Sequence, residues 1–556
     1  MVQTTQGEKF TQMKVKYCDS MLQKIIKKLT IVGLFLSVSF SQAKAQNGGL
    51  ADEAEQTMLN ATQYMVNEIS TNGGFVWYYL PDLSRRWGEM EAYETMIWMQ
   101  GRGTVSMGNL FLDAYRATGD EFYYEAAENV AAAVIWGQGN EGGWNYMVDF
   151  AGDRSLKQWY NTIGKNAWRL EEFQHYYGNS TFDDNVTTGT ARFLLRMYLE
   201  KLDPAYKPAL EKAIGYLLKS QYPSGGWPQR YPLRYDFGKN GNPDYTSFYT
   251  FNDGVIERNI EFLIQCYLTL GEERFLEPVR RGMNFYLVSQ YAGGGWAQQL
   301  DMDLQVAGAR TYEPEALLPK TTFENALTLL KFYRYTGDKK FLDRVPDAIA
   351  WLKEVSLPEN KTEGGRFTHP TFVEPETNRA IYVHRKGSNV KYGYYYSDDS
   401  DDNLLGHYGG KCRLDLEQLK EEYRKLAELS SDEATKDSPL KPAQFKGEGT
   451  PQDFYFMNRN RKMEQPDVAQ VRKIIDALDS KNRWLVKHVM ISNPYTGDGQ
   501  KQELTDKYAT TYVGDETDTS PFRDTSEQLY ISTGEYVKNM SLLIDYIVHT
   551  NKMRGK

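Results

Sequence analysis

The chain has 556 residues, 41% of them apolar and 25% charged, and a net charge of −9. That length admits more than one domain, although a repeat toroid also runs this long as a single unit, and the apolar share suffices for a packed core. The acidic balance argues against nucleic-acid binding, and it means an anionic polymer needs a locally basic cleft or a bridging cation to be held.

Residues 21–46 read as a secretory signal. Lys24, Lys27 and Lys28 form a basic start, Ile31 to Phe40 a short apolar region, and Ala43-Lys44-Ala45 a small-residue cleavage site that leaves Gln46 first. The natural start is then expected at Met21. The apolar run is too short for a stable membrane anchor, and no Cys stands at the cleavage site to carry a lipid. A bacterial protein is expected, secreted or periplasmic, with no membrane attachment after cleavage. Segment 1–45 holds seven Lys and two acidic residues, so its loss moves the net charge from −9 to −14. Of three Cys, Cys18 leaves with the signal, and Cys266 and Cys412 make no disulfide framework.

From there the chain repeats itself. One element is a polar turn after a helix: Ala117-Thr118-Gly119-Asp120, Leu268-Thr269-Leu270-Gly271-Glu272 and Tyr335-Thr336-Gly337-Asp338, with a weaker copy at Asp203-Pro204. The other is Gly-Gly-aromatic: Gly142-Gly143-Trp144, Gly225-Gly226-Trp227 and Gly294-Gly295-Trp296, with outer copies expected at Gly73-Gly74-Phe75 and Gly364-Gly365-Arg366-Phe367. Between them the apolar residues fall at helical spacing, as in Ile256, Ile260, Leu263, Ile264 and Tyr267, or Phe323, Ala326, Leu327, Leu330 and Tyr333. Gly after such a run is a helix stop, and an acid just beyond it starts the next helix. Strand patterns are few; Arg379 to His384 and Val390 to Tyr396 predict a short hairpin around Lys386-Gly387-Ser388. Residues 430–466 are polar and irregular, and helix returns at 466–479 and 534–548.

Successive helix hairpins with like loops at one end predict an all-α fold, an α/α toroid in the form of an incomplete barrel, with long loops forming a cleft. Along the chain this gives a signal peptide (1–45), N-terminal hairpins (46–160), a central core (161–430), and a polar excursion with C-terminal helices packing on the toroid (431–556). Aromatics reach 14%, including 40 Tyr and 11 Trp. A sugar-stacking cleft would use such rings, since a pyranose offers them an apolar C–H face. Helical repeats also fill their cores with aromatics, and for any single Tyr the core is the expected place.

Five short segments follow in order: Thr181-Phe182-Asp183-Asp184-Asn185-Val186-Thr187-Thr188, Gly225-Gly226-Trp227-Pro228-Gln229-Arg230-Tyr231-Pro232, Thr250-Phe251-Asn252-Asp253, Ala309-Arg310-Thr311-Tyr312-Glu313 and Thr377-Asn378-Arg379-Ala380-Ile381-Tyr382. Over roughly residues 160–410 this set resembles the catalytic module of polysaccharide lyase family 10, the pectate lyases. The resemblance implies β-elimination on de-esterified homogalacturonan, an acidic polysaccharide, with Ca2+ held between protein and substrate carboxylates. It implies that Asp183 and Asp253 hold the metal, that Asp183 is also catalytic, and that Arg310 takes the C5 proton. It implies that Arg379 and Lys391 hold substrate carboxylates, and that Trp227, Arg230, Asn252 and Tyr312 line the substrate site. The enzyme is expected to act as a monomer.

Elementary chemistry agrees. A uronate C5 proton is barely acidic, and removing it loads charge onto the neighbouring carboxylate. A cation there stabilises that charge, and Ca2+ accepts many oxygen ligands in loose geometry. Arginine is an unusual base, because its side chain stays protonated in nearly all proteins. The role requires other cations around Arg310; an electrostatic role is the alternative. Each residue also has a plain explanation. Asp183 and Asp253 are placed as helix N-caps, which is what an Asp there usually is. Trp227 and Arg230 fit a rigid packing turn as well as a substrate contact.

The sequence departs from the family's pattern in places. Pro314-Glu315-Ala316 stands where the family has His-Pro-Ser, and Gly189 and Ala191 are smaller than the family's residues beside Thr188. Two rival readings are a glycoside hydrolase on the same toroid, with two acids as general acid and base, and a non-catalytic pectin-binding protein.

Overall fold

The computed structural model describes residues 49–166, 171–234, 244–386, 394–402, 404, 409–441, 467–487 and 528–553. The predicted signal peptide, Lys391, the hairpin turn at 387–393 and, of the polar stretch 430–466, residues 442–466 lie outside the described residues.

The predicted hairpins are present. Along the chain run α1 (Leu50–Tyr64), α2 (Thr104–Thr118), α3 (Glu121–Trp136), α4 (Asp153–Thr162), α5 (Val186–Lys201), α6 (Lys207–Ser220), α7 (Val255–Leu270), α8 (Leu276–Val288), α9 (Pro319–Thr336), α10 (Val345–Glu354), α11 (Leu416–Ala427), α12 (Val468–Asp476) and α13 (Thr533–Met553). The polar turns end helices as expected: Gly119, Gly271 and Gly337 are left-handed C-caps, and Asp120 and Asp338 accept hydrogen bonds from the first turn of the following helix. Helix α2 packs on α5, α5 on α7, and Lys331 of α9 bridges to Glu257 and Glu261 of α7. These are the inner helices of an α/α toroid. Outside them, α3 pairs with α2, α6 with α5, α8 with α7 and α10 with α9. The last described helix, α13, lies against both α1 and α2.

The Gly-Gly-Trp turn is the joint between repeats. Each Trp is buried, and its indole N–H donates to a carbonyl of the preceding outer helix: Trp144 to Val134 (2.8 Å), Trp227 to Leu217 (2.9 Å) and Trp296 to Tyr286 (3.2 Å). The first glycine of each turn has positive φ and touches the next repeat's outer helix. A Cβ on Gly142, Gly225 or Gly294 would stand 2.1–2.4 Å from the carbonyl oxygen of Lys212, Arg281 or Asp347. Gly73 meets Asn129 in the same way, so the expected outer copy at Gly73-Gly74-Phe75 is real. The one expected at Gly364-Gly365 is an exposed turn whose glycines face open space. A copy without the glycine pair closes α12, where Trp484 donates to the carbonyl of Ile474 (2.9 Å).

After each turn comes a strand of two or three residues that pairs antiparallel with the strand ahead of an inner helix. Met147–Asp149 pairs with Met96–Trp98 before α2, Arg230–Tyr231 with Ser180–Thr181 before α5, and Gln299–Leu300 with Tyr249–Thr250 before α7. Tyr78–Tyr79 pairs with Tyr530–Ser532 before α13. These ladders fix the loops at one end of the toroid, where the predicted acids sit. The predicted hairpin also forms, from Ala380–Lys386 and Tyr394–Asp398. Cys266 and Cys412 are free thiols.

Candidate active site

Two loops of one design carry the acids, each between a short strand and an inner helix. The hydroxyl of Thr181 accepts from the Asp183 N–H, and that of Thr250 from the Asn252 N–H, both at 3.1 Å. Buried Phe182 and Phe251 pin the loops. Two left-handed residues then turn the chain into the helix: Asp184 (φ 48°) and Asn185 (φ 61°) before α5, Asp253 (φ 50°) and Gly254 (φ 65°) before α7. Such backbone costs about 1–2 kcal/mol per non-glycine residue and persists where the surroundings enforce it. The expected N-cap role is corrected here. Asn185 and Gly254 occupy the caps of α5 and α7, neither with a side-chain bond, so the Asp183 and Asp253 carboxylates serve something else.

What they serve is a shared centre. One ligand oxygen from each of Asp183, Asp184 and Asp253 lies within 4.8 Å of the others. Calcium–oxygen bonds are about 2.3–2.6 Å, so oxygens on opposite sides of one ion stand about 4.6–5.2 Å apart. The three carboxylates therefore fit a single Ca2+. Burial and the charges of Asp253 and Asp183 push Asp184 well above the usual carboxylate range. Burial and Asp183 do the same to Asp253, whose side chain nonetheless reaches solvent. Asp183 is fully buried, which opposes its charge, yet Arg310 with hydrogen bonds from Asp253 and Tyr146 holds it below that range. Its Oδ2 accepts from Tyr146 (2.6 Å) and Arg310 (2.9 Å).

Arg310 is itself buried among carboxylates. Its Nε and Nη2 grip Glu172 at 3.0 and 2.6 Å, Nη2 also reaches Asp183, and Nη1 donates to Glu313 at 3.1 Å. Glu313 in turn accepts from the Arg310 backbone N–H (2.9 Å) and from Gln298 (2.6 Å). Burial works against the guanidinium charge, but Glu172, Glu313, Tyr312 and Asp183 raise its pKa well above the ordinary value. The cationic surroundings that an arginine base requires are not what this structure provides; here Arg310 is a protonated clamp on three carboxylates.

The other expected substrate contacts divide. Trp227 is wholly buried and repeats the setting of Trp144 and Trp296, so it packs the toroid and stacks no sugar. Arg230 is 1% exposed, donates to Asn145 and Asn179, and lies over the rings of Tyr146 and Tyr177, which makes it a support behind Tyr146. Tyr312 is buried with Ala316, Leu318, Phe372 and Val383 and anchors the Arg310 loop. Pro314-Glu315-Ala316 serves that anchor, because Ala316 is part of the same cluster. Asn252 is half-buried, and its amide donates to Asp183 Oδ1 at 3.4 Å. Arg379 is exposed and pairs with Glu374, not with the aspartates. Gly189 has its own reason: a Cβ there would lie 2.7 Å from the Asn185 amide, so the glycine admits the folded-back side chain.

Sequence reasoning missed Asp184, Glu172, Glu313 and Tyr146. Asp184 had a signal. Thr181-Phe182-Asp183-Asp184 and Thr250-Phe251-Asn252-Asp253 are copies, and Asp184 is the counterpart of Asp253. Glu172 lies in a segment with no motif, and only the fold brings it to Arg310.

At the loop end of the helical toroid, a cluster of three carboxylates and a buried arginine share one site. The sequence model of the family described as pectic acid lyase matches residues 138–434, more than half of the chain, and the chain belongs to that family. It is thus a polysaccharide lyase. No curated protein matches it. Among solved structures it is similar to a family 10 polysaccharide lyase from Cellvibrio cellulosa, a mutant in complex with trigalacturonic acid. The identity is 19% over 49% of this chain and 86% of that one, with a TM-score of 0.33. It is also similar to a family 76 glycoside hydrolase (mannosidase) from Bacteroides thetaiotaomicron, at 10% identity over 91% of this chain and 100% of that one, with a TM-score of 0.38. The family assignment rests on the sequence match alone.

Proposed function

We propose that the protein is a pectate lyase that cleaves de-esterified homogalacturonan by Ca2+-assisted β-elimination. The observation that carries this reading is the spacing of Asp183, Asp184 and Asp253 for one cation beside Arg310. The cation, when bound, neutralises the substrate carboxylate and stabilises the charge that builds there as the C5 proton leaves. The electron pair of the C5–H bond forms the C4=C5 double bond. The C4–O bond breaks, and its pair departs with the leaving oxygen, which is protonated by solvent.

Arg310 is proposed as the acceptor of the C5 proton. To accept one it must first release one, and Glu172, Glu313 and Asp183 oppose that release. A cation on Asp183 would neutralise one of the three charges that hold that proton. Tyr146 holds Asp183 in place throughout. Arg379, exposed and paired with Glu374, is proposed to exchange that partner for a polymer carboxylate. A polysaccharide of this kind is met outside the cytoplasm, in keeping with the signal expected at 1–45. Among the described residues no helix is long and apolar enough to cross a membrane.

Incubation with polygalacturonate and Ca2+ tests the reaction type. Unsaturated oligogalacturonides, absorbing in the near ultraviolet, are expected. Saturated products would overturn the lyase chemistry in favour of hydrolysis.

A further inference from the structure

The carboxylate centre is not confined to the segment that matches the family. The loop ahead of α2, in the N-terminal repeat, holds the equivalent place between a short strand and an inner helix. The Thr104 hydroxyl receives the backbone N–H of Phe75 at 3.0 Å, as the Thr187 hydroxyl receives that of Trp144 at 3.0 Å. Phe75 and Trp144 are the aromatics of equivalent Gly-Gly turns. Counting four residues back from each threonine puts Gln100 in the place that Asp183 takes one repeat later and Asn252 takes two repeats later.

Gln100 is directed at the centre. It is 6% exposed, and its Oε1 accepts from the Trp98 indole at 2.9 Å, which fixes the amide's orientation. Its Nε2 then donates to Asp184 Oδ2 at 2.5 Å and to buried Glu89 at 3.0 Å. One oxygen of Asp184 is thereby tethered, and the side chain is held between Gln100 on one side and Asp183 and Asp253 on the other. Asp184 and Asn185 also line a cavity of about 280 Å³ with Asn109, Asp113 and Arg196. The buried Oδ1 of Asn185 has no hydrogen-bond partner. Ca2+ takes six to eight oxygens, and one oxygen from each aspartate supplies three. An oriented third carboxylate, an unmatched buried oxygen beside it and room for water are what such an ion requires.

We infer that Gln100, with Glu89 behind it, is the positioning residue that presents Asp184 to the cation. The N-terminal repeat, outside residues 138–434, is then part of the metal centre. The inference rests on the calcium reading of the site.

The test is calorimetric titration of the full chain with Ca2+ alone, without polysaccharide, alongside thermal unfolding in EDTA and in Ca2+. Asp184→Asn is expected to weaken Ca2+ binding by about tenfold or more. Gln100→Ala, which leaves every carboxylate in place, is expected to weaken it within the range of about 10–100-fold typical of residues that orient metal ligands. The rise in melting temperature produced by Ca2+ should shrink in both variants. In EDTA, Asp184→Asn should be about as stable as the unaltered protein or more so, and Gln100→Ala, which leaves the Trp98 indole and Glu89 short of a partner, somewhat less stable, so the comparison is of the Ca2+-induced rise within each variant. If the unaltered protein binds Ca2+ and both variants bind it equally well, the inference is wrong and the calcium reading stands. If the unaltered protein binds no Ca2+, the calcium reading itself fails and the inference falls with it. Should Asp184→Asn not fold, Gln100→Ala decides alone.

Discussion

Replacing Arg310 by lysine separates charge from geometry at the most heavily bonded residue of the site. The guanidinium makes four side-chain hydrogen bonds to three buried carboxylates, two of them a fork on Glu172. A lysine keeps the charge, but one nitrogen cannot span Glu172, Asp183 and Glu313, and the fork is lost. Loss of about two charge-assisted bonds, at about 1.5–3 kcal/mol each, predicts destabilisation of about 3–6 kcal/mol. For a cooperative unit of about 400 residues the unfolding entropy is about 0.8 kcal/mol/K, so the melting temperature should fall by about 4–7 °C. Turnover should fall further than stability explains, by about three orders of magnitude, or ~4 kcal/mol in the barrier. Polygalacturonate binding, measured separately, should change little. Calorimetry and steady-state kinetics on Arg310→Lys check both figures. Survival of kcat within about tenfold would remove Arg310 from the proton transfer and send the search for the acceptor elsewhere.

Trp227→Ala should act on stability and not on substrate. The ring is fully buried with its N–H bonded to Leu217, so the change should cost about 3–5 kcal/mol; a selective rise in KM in the folded fraction would restore Trp227 to the cleft. The pH dependence has a definite sign. In EDTA the folded chain holds protons on Asp184 and Asp253 at pH values where unfolded aspartates, with pKa about 3.9, have lost them. The native state then binds more protons than the unfolded one, so this pair's contribution to stability falls as pH rises from about 4 through the raised native values. Ca2+ competes with those protons, so the stabilisation it confers should grow over the same range; a Ca2+-induced gain in melting temperature that is flat with pH would contradict the assignment.

The fold was legible because its repeat is written in residues with few alternatives. Only glycine permits the close approach at Gly142, Gly225 and Gly294, and a Trp two residues on fills the same socket each time. The two-residue strands were not legible, since Ser180–Thr181 or Tyr249–Thr250 is too short for any period to register. For the same reason Trp484, which follows Asn482-Arg483 in place of two glycines, gave no warning of another copy. At the site, Asp183, Asp253 and Arg310 were found by their motifs, and the structure brings the first two together with Asp184 and sets Arg310 on Asp183. Arg230, Trp227 and Tyr312 were misread for a common cause. Motif residues near a site include those that build its walls, and sequence alone does not separate a buried wall from an exposed contact. Glu172 and Gln100 come from other repeats and reach the centre only through the ring.

The most direct test of calcium-assisted elimination is the near-ultraviolet absorbance of a polygalacturonate reaction run first in EDTA and then with excess Ca2+. The account predicts no rise under chelation and a steady rise once Ca2+ is restored, with Asp253→Ala requiring far more Ca2+ or staying inactive. Full activity in EDTA, or chain cleavage without that absorbance, would contradict it.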